Sequence, residues 1–271
     1  MHDLFDISGR VAVVTGGYGV LGGSMAGCLA DAGVHVGILG RREEAAEAAA
    51  ATLRRRGGQA IALAADVTER SQVLAAREKV LDAWGRIDIL INAGGGNRPA
   101  ATTGPGQTVF DLSLEAFDEV TDLNLKGTVI PTLIFGETMA EQQKGNIVNI
   151  SSMAAQQAIT KVVGYSVAKA GVDLFTKWMA VEMARQFGPG LRVNAIAPGF
   201  FIADQNRGLL VHPDGSYTER GKTIIANTPM GRFGVAEELH GVVRWLCSDA
   251  ASFVTGTVIP VDGGFSAFSG V

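Results

Sequence analysis

The chain has 271 residues, with 23 lysines and arginines against 27 aspartates and glutamates, so its formal net charge is −4. This balance disfavours nucleic acid or a membrane surface as a partner, and a composition of 47% apolar and 18% charged residues indicates a folded protein. Two isolated cysteines exclude a disulfide scaffold. The lack of a long apolar run and of a signal-peptide pattern predicts a cytoplasmic protein.

Apolar runs that end in glycine or polar residues alternate with helical patterns along the chain. The predicted strands are 11–14, 34–39, 60–64, 87–91, 146–150, 192–197 and 258–261. The predicted helices are 24–32, 43–56, 71–84, 114–143, 163–187 and 236–248. Continuous apolar strands separated by helices predict a parallel sheet covered on both faces. The expected fold is therefore α/β: a single-domain Rossmann fold with a doubly wound seven-stranded parallel sheet, with a cofactor half of about 1–150 and a catalytic half of about 151–271.

The first predicted strand ends in a glycine-rich turn, 15–22, with the sequence TGGYGVLG. Ligands of such sheets bind outside the carboxyl ends of the strands, where the N–H groups of a tight turn can hold a pyrophosphate. We expect cofactor contacts from Gly16, Tyr18, Val20 and Leu21. A strand-to-helix turn without a ligand is the alternative interpretation.

Two arginines follow the second predicted strand, in the sequence Gly40-Arg41-Arg42. A domain that binds NAD usually carries an acidic residue here, on the ribose hydroxyl, whereas an arginine can pair with a 2′-phosphate. This pattern favours NADP(H) over NAD(H), although NAD(H) stays possible. Alternatively, both arginines are solvated charges that pair with Glu43 or Glu44.

Polar residues also follow the third and fourth predicted strands. Asp66-Val67 could contact an adenine, and the turn Asn92-Ala93-Gly94 could bring the backbone close to a cofactor. Each of these residues could equally be a helix cap or a turn residue.

A candidate catalytic group follows the fifth predicted strand. Ser152 lies just beyond the strand, and Tyr165 and Lys169 are four residues apart in the next predicted helix, so they share a helical face. An ammonium beside a phenol should lower the pKa of the phenol, which suits Tyr165 to acid/base catalysis. Ser152 could hydrogen-bond the same substrate oxygen.

These motifs together resemble those of the short-chain dehydrogenase/reductase family over the whole chain. The matches include 15–22, Asp66, 92–94, Asn124, Ser152, Tyr165, Lys169, 198–199 and 262–264, with Val20 in place of a motif glycine. The resemblance implies hydride transfer between a nicotinamide and an alcohol or carbonyl carbon, with Tyr165 as proton donor or acceptor. It also implies that Lys169 binds the nicotinamide ribose, that Asn124 holds a proton-relay water, and that Pro198, Gly199 and Phe201 contact the cofactor.

A narrower resemblance, to the D-mannonate oxidoreductases (fructuronate reductases) of this family, comes from the remaining segments. It implies a keto sugar acid as substrate, and the residues expected to bind it with Ser152 and Tyr165 are Asn97, Arg98, Lys161, Gln205, Asn206 and Arg207. The three cations in this set could instead be surface charges. Residues 200–227 read as a long irregular segment and predict a lid over the substrate.

Three functions stay open at this point. The first is an NADP(H)- or NAD(H)-dependent reductase of a keto sugar acid, and the second is a reductase of a neutral polyol or another carbonyl compound. The third is a dinucleotide-sensing protein without turnover. No metal site is expected, because the four histidines show no ligand spacing. The resemblance and the apolar last strand suggest a homotetramer.

Overall fold

The structure is a computed structural model that describes residues 3–104 and 106–270, without the side chains of Asp204 and Gln205. All the strands of its central sheet are parallel, and their spatial order is β3-β2-β1-β4-β5-β6-β7. The strands are β1 Val11–Thr15, β2 His35–Gly40, β3 Ala60–Ala64, β4 Ile89–Asn92, β5 Gly145–Ile150, β6 Leu191–Pro198 and β7 Val258–Val261. The predicted doubly wound seven-stranded Rossmann fold is confirmed.

Helices cover both faces of the sheet. They are α1 Val20–Asp31, α2 Glu43–Arg55, α3 Arg70–Trp84, α4 Leu114–Thr121, α5 Gly127–Glu141, α6 Val163–Phe187, α7 Asp204–Leu210, α8 Glu219–Ala226 and α9 His240–Cys247. Alternate strand residues enter two separate cores, since Ala12 and Val14 pack with α1, α2 and α9, whereas Val11 and Val13 pack with α3, α5 and α6. This double burial explains why the strands are apolar throughout.

The winding of the chain reverses between β1 and β4. The chain passes from β1 outward to β2 and β3, returns to β4 beside β1, and continues outward to β7. The loops after β1 and β4 therefore diverge and leave a crevice at the carboxyl ends of the strands. This crevice is where the structure brings the predicted site residues together.

Four predicted elements differ from the structure. The predicted helix 236–248 begins as a 3-10 turn, Ala236–Leu239, and becomes α-helical at His240. Helix α1 begins at Val20 and not at residue 24, because Gly23 N already donates to Gly19 O at 2.7 Å. The predicted helix 114–143 is divided by a π-helical turn, Asp122–Lys126. The segment 200–227 is not irregular, since it contains α7 and α8.

Within residues 3–104 and 106–270, no helix is both long enough and apolar enough to cross a bilayer.

Candidate active site

The turn after β1 is shaped by close backbone approaches. Gly16 has a φ of +62°, and a Cβ atom on it would lie 2.8 Å from the Ala93 carbonyl oxygen. A Cβ atom on Gly22 would lie 2.3 Å from the Gly16 carbonyl oxygen. Val20 is the first residue of α1 and is 39% exposed, so its side chain is accommodated without crowding the turn. The turn leaves a narrow space that bare backbone can line, as a pyrophosphate requires.

A cavity of about 500 Å³ extends from this turn along the crevice. Most of the predicted cofactor residues line it: Gly16, Tyr18, Val20, Leu21, Gly40, Arg41, Arg42, Val67, Ala93, Gly94, Tyr165, Pro198, Gly199 and Phe201. The wall also includes residues that the sequence did not single out for the cofactor, notably Ala65, Gly95, Leu123 and Ser151. The glycine cradle at one end and the tyrosine at the other fit an elongated dinucleotide.

Tyr18 organises the end of this cavity that lies beside β2. A Cβ atom on Gly40 would be 2.3 Å from the Tyr18 ring, so only glycine allows the ring to lie there. The Arg42 guanidinium stacks over that ring at 5.1 Å from its centroid, and Arg42 N donates to the Tyr18 hydroxyl at 3.2 Å. Arg41 is exposed and lies 3.9 Å from Asp66. Both arginines therefore border the cavity with their charges accessible.

Three predicted cofactor contacts, Asp66, Asn92 and Lys169, do not line this cavity. Asp66 accepts from the Thr68 backbone N–H at 2.9 Å and from its hydroxyl at 2.7 Å, which makes it a turn residue.

The Asn92 side chain points into the sheet and not into the crevice. Its amide donates to Thr132 Oγ1 and Asn149 Oδ1, each at 2.8 Å. The Asn92 side chain therefore supports the end of β4, and the approach of the Asn92 backbone to the cofactor stays a prediction.

The candidate catalytic group is assembled from β5, the loop after it and α6. Lys169 is buried, donates to the Ile150 carbonyl oxygen at 2.7 Å, and has its Nζ 5.6 Å from the centre of the Tyr165 ring. The Ser152 hydroxyl accepts a hydrogen bond from Ala154 N at 3.1 Å, and this bond fixes the position of Ser152 just beyond β5. The Ser152 side chain is close enough to Tyr165 to lower the pKa of the tyrosine.

The titration of this group differs from the expectation. Burial raises the pKa of Tyr165, and the nearby Ser152 side chain only partly opposes this effect. Burial lowers the pKa of Lys169 to about 8, while the nearby Asp173 carboxylate acts to raise it. The expected lowering of the Tyr165 pKa by Lys169 is not seen in the cofactor-free protein, since burial dominates and the opposing effect comes from Ser152. Tyr165 is protonated at neutral pH and is ready to donate.

Asn124 lies in the π-helical turn and fastens the loop after β4. Its Oδ1 accepts from Gly96 N at 3.0 Å, and its Nδ2 donates to Gly96 O at 2.7 Å and to Val120 O at 2.8 Å. A Cβ atom on Gly95 would lie 2.6 Å from Asn124 Oδ1 and 3.5 Å from Lys169 Nζ. Asn124 and Lys169 thus flank the same loop, as expected, and the proton-relay role of Asn124 stays a prediction.

A second cavity, of about 620 Å³, opens on the other side of the catalytic group. Ser152, Tyr165, Gly199 and Asn206 line both cavities. Asn97 also lines the second one, where its Nδ2 donates to Thr102 Oγ1 at 2.9 Å and its buried Oδ1 has no partner among the described residues. That oxygen can accept a hydrogen bond from a hydroxyl group.

Of the three predicted substrate cations, Arg98 alone lines the second cavity. It pairs with Glu119 at 2.8 Å. Lys161 and Arg207 are exposed and do not line the cavity, so their assignment as substrate residues is corrected. On α7, Asn206 faces the cavity, and the next residue of a helix points about 100° away. The side chain of Gln205 lies outside the described residues.

Sequence reasoning missed two polar members of this second cavity, Thr102 and Arg220. Arg220, on α8, lines it together with the apolar side chains of Ile159, Val162, Leu209 and Leu210. Since the segment was expected to be irregular, helical spacing gave no signal for Arg220. In the part of the chain that the structure describes, no three histidine, cysteine, aspartate or glutamate side chains lie close enough together to hold a metal ion.

Comparison with known proteins identifies the family. Residues 19–266 match the family described as enoyl-(acyl carrier protein) reductase, one of the short-chain dehydrogenase/reductase families. The chain is 45% identical to the uncharacterized oxidoreductase UxuB of Bacillus subtilis, over 98% of each protein. The chain therefore belongs to the short-chain dehydrogenase/reductase family, and it is an NAD(P)-dependent oxidoreductase acting on CH–OH groups.

Two solved structures share the fold over almost the whole chain. One is a suggested D-mannonate oxidoreductase from Haemophilus influenzae with bound NAD, with a TM-score of 0.92, 40% identity and 98% of each chain covered. The other is a gluconate 5-dehydrogenase from Burkholderia cenocepacia in complex with NADP and tartrate, with a TM-score of 0.87, 32% identity and 98% of each chain covered.

Proposed function

We propose that this enzyme interconverts the ketone and the secondary alcohol of a sugar acid, of the D-fructuronate/D-mannonate type. The observation that carries the proposal is the position of Ser152 and Tyr165, which line both the cofactor cavity and the second cavity. A substrate in the second cavity would place its carbonyl group between these hydroxyls and the cofactor.

The chain's own residues then perform the proton chemistry. Tyr165, protonated at neutral pH, donates its proton to the substrate oxygen, and Ser152 holds that oxygen by a hydrogen bond. Lys169 supplies positive charge behind the tyrosine, and its bond to Ile150 O fixes its position. The nicotinamide would supply or accept the hydride at the carbonyl carbon.

A polyhydroxylated acid suits the polar side of the second cavity. Asn97, Asn206 and Arg220 line this cavity together with Ser152 and Tyr165, and a polar lining favours a substrate with hydroxyl groups over one without them. The resemblance to the D-mannonate and gluconate enzymes supports the same class of substrate.

For the cofactor, we propose that NADP(H) is preferred and NAD(H) is accepted. Two observations support this preference. A pair of accessible arginines lies beside Tyr18, and no acidic residue is present at 40–42, which comprise the last residue of β2 and the two residues after it. The two solved relatives bind NAD in one case and NADP in the other.

We also propose a homotetramer. On α6, Leu174, Trp178 and Val181 are 70%, 56% and 51% exposed, and on the neighbouring α5, Leu133 is 48% exposed. An apolar surface of this kind is typical of a subunit interface.

A cytoplasmic location stays a prediction.

One observation favours a second candidate function, the reduction of a less polar or neutral carbonyl compound. Ile159, Val162, Leu209 and Leu210 form an apolar side of the second cavity that a sugar acid does not need. A panel assay separates the two candidates: loss of reduced-nicotinamide absorbance with NADPH, and separately with NADH, against keto sugar acids and matched neutral ketoses. Preferred turnover of D-fructuronate supports the proposal, whereas turnover of neutral ketoses alone contradicts it.

A further inference from the structure

A single cation of α8 reaches the cavity that we assign to the substrate. Arg220 is partly buried on the wall of this cavity, which Ser152 and Tyr165 also line. Its guanidinium donates to the hydroxyl and the carbonyl oxygen of Thr160, both at 3.4 Å. Bonds of this length are weak, and a guanidinium has five N–H donors, so Arg220 keeps strong donors for another acceptor.

No described carboxylate pairs with Arg220. Among the side chains that the structure describes, which do not include that of Asp204, no carboxylate lies within 4.0 Å of the Arg220 nitrogens. The adjacent acid, Glu219, is bonded to Lys222 at 2.8 Å, and the other arginine of the cavity, Arg98, is bonded to Glu119 at 2.8 Å. Arg220 is therefore the cavity cation whose charge no described carboxylate compensates.

From this position we infer that Arg220 binds the carboxylate of the substrate and determines the preference for sugar acids. The inference rests on the proposed function. A carboxylate accepts two parallel hydrogen bonds from a guanidinium, and this geometry gives both attraction and orientation. The assignment replaces Lys161 and Arg207, which the sequence suggested and which the structure places on the exposed surface.

The contact with Thr160 adds a positioning effect. Thr160 is in the loop that precedes α6, five residues before Tyr165, and the intervening Lys161 has a φ of +75°. Arg220 thus joins α8 to the loop that leads into the catalytic helix. A carboxylate on Arg220 would be held between α8 and that loop, with the substrate carbonyl directed toward Ser152 and Tyr165.

The test compares Arg220→Met, Arg220→Lys and the control Lys222→Met, an exposed cation on the same helix. The assay is steady-state kinetics with D-fructuronate and with a neutral ketose of the same chain length. For Arg220→Met we expect the KM for D-fructuronate to rise about 10- to 100-fold, with kcat changed by less than about 3-fold and the neutral ketose unaffected. Arg220→Lys should keep part of the preference, and Lys222→Met should keep all of it.

A merely structural role would give a different pattern. Loss of packing would lower kcat, weaken NAD(P)H binding and affect both substrates equally, and that result would overturn the inference. An unchanged preference in Arg220→Met would overturn it as well. If Arg220→Met does not fold, Arg220→Lys carries the test, since it keeps the charge and loses the paired geometry.

The two proposals fail in different ways. If the wild type reduces D-fructuronate and Arg220→Met keeps the same preference, only the role of Arg220 is wrong. If the wild type reduces neutral ketoses alone, the proposed function is wrong and the assignment of Arg220 falls with it.

Discussion

Replacing Lys169 by methionine should abolish activity and yet stabilise the cofactor-free protein at neutral pH. Burial lowers the pKa of this lysine from its usual 10.5 to about 8. Each pKa unit corresponds to ~1.4 kcal/mol, so the buried charge costs roughly 3 kcal/mol of folding free energy at about pH 7. The variant also loses the hydrogen bond to Ile150 O, worth roughly 1 to 2 kcal/mol. The expected net gain is therefore about 2 kcal/mol.

The pH dependence gives the sharper test, because it does not depend on the lost hydrogen bond. A lysine with a lowered pKa binds fewer protons in the folded state than in the unfolded state, so its destabilising effect is relieved as pH rises through about 8. The unfolding free energy of Lys169→Met exceeds that of the wild type, and this difference should shrink by roughly 2 kcal/mol between about pH 7 and about pH 9.5. Taking the difference between the two proteins cancels the titration of Tyr165 and the cysteines.

Urea unfolding followed by tryptophan fluorescence measures this difference. The control is Lys177→Met, two turns further along α6, where the lysine is exposed and the expected change is within about 0.5 kcal/mol. If the difference in unfolding free energy between Lys169→Met and the wild type stays constant across this pH range, Lys169 is not buried as a charge.

Further predictions concern the cofactor and the lid. Gly22→Ala should weaken cofactor binding about 10-fold or more, because its Cβ would lie 2.3 Å from the Gly16 carbonyl oxygen, whereas Gly23→Ala, with 3.5 Å to the nearest atom, should not. Arg41→Asp should weaken the binding of NADPH far more than that of NADH, as measured by fluorescence titration. An equal loss of affinity for both cofactors would argue against a 2′-phosphate contact. Tryptic cleavage at the exposed Arg207 should slow with NADP(H) and substrate together, and an unchanged rate would count against lid closure.

The sheet and the cofactor turn could be predicted from the sequence because their signals are local. A strand buried on both faces is apolar throughout, and Gly22 is required by a backbone contact with Gly16, six residues before it in the chain. The start of α1 was missed because glycine disfavours helices, and 19–23 contains three glycines, so the pattern hid a helix that begins at Val20.

Other features depend on contacts between distant segments. The π-helical turn contains Asn124, which accepts a hydrogen bond from Gly96, 28 residues away in the chain. A helical sequence pattern does not show such a contact. Asn92 is the last residue of β4, and its side chain turns toward Thr132 on α5, a contact that the local sequence does not show. The choice among Lys161, Arg207 and Arg220 depends on which face of a short helix or loop meets the cavity, and that is decided by tertiary packing.

The central claim is that Tyr165 transfers the proton at the junction of the two cavities. The most direct measurement is the turnover of Tyr165→Phe with D-fructuronate, beside the affinity of the same variant for NADPH and NADH. We expect kcat/KM to fall at least about 10³-fold, while cofactor affinity stays within about 3-fold, because only the hydroxyl is removed. Retained turnover, or a loss explained by weaker cofactor binding, would contradict it.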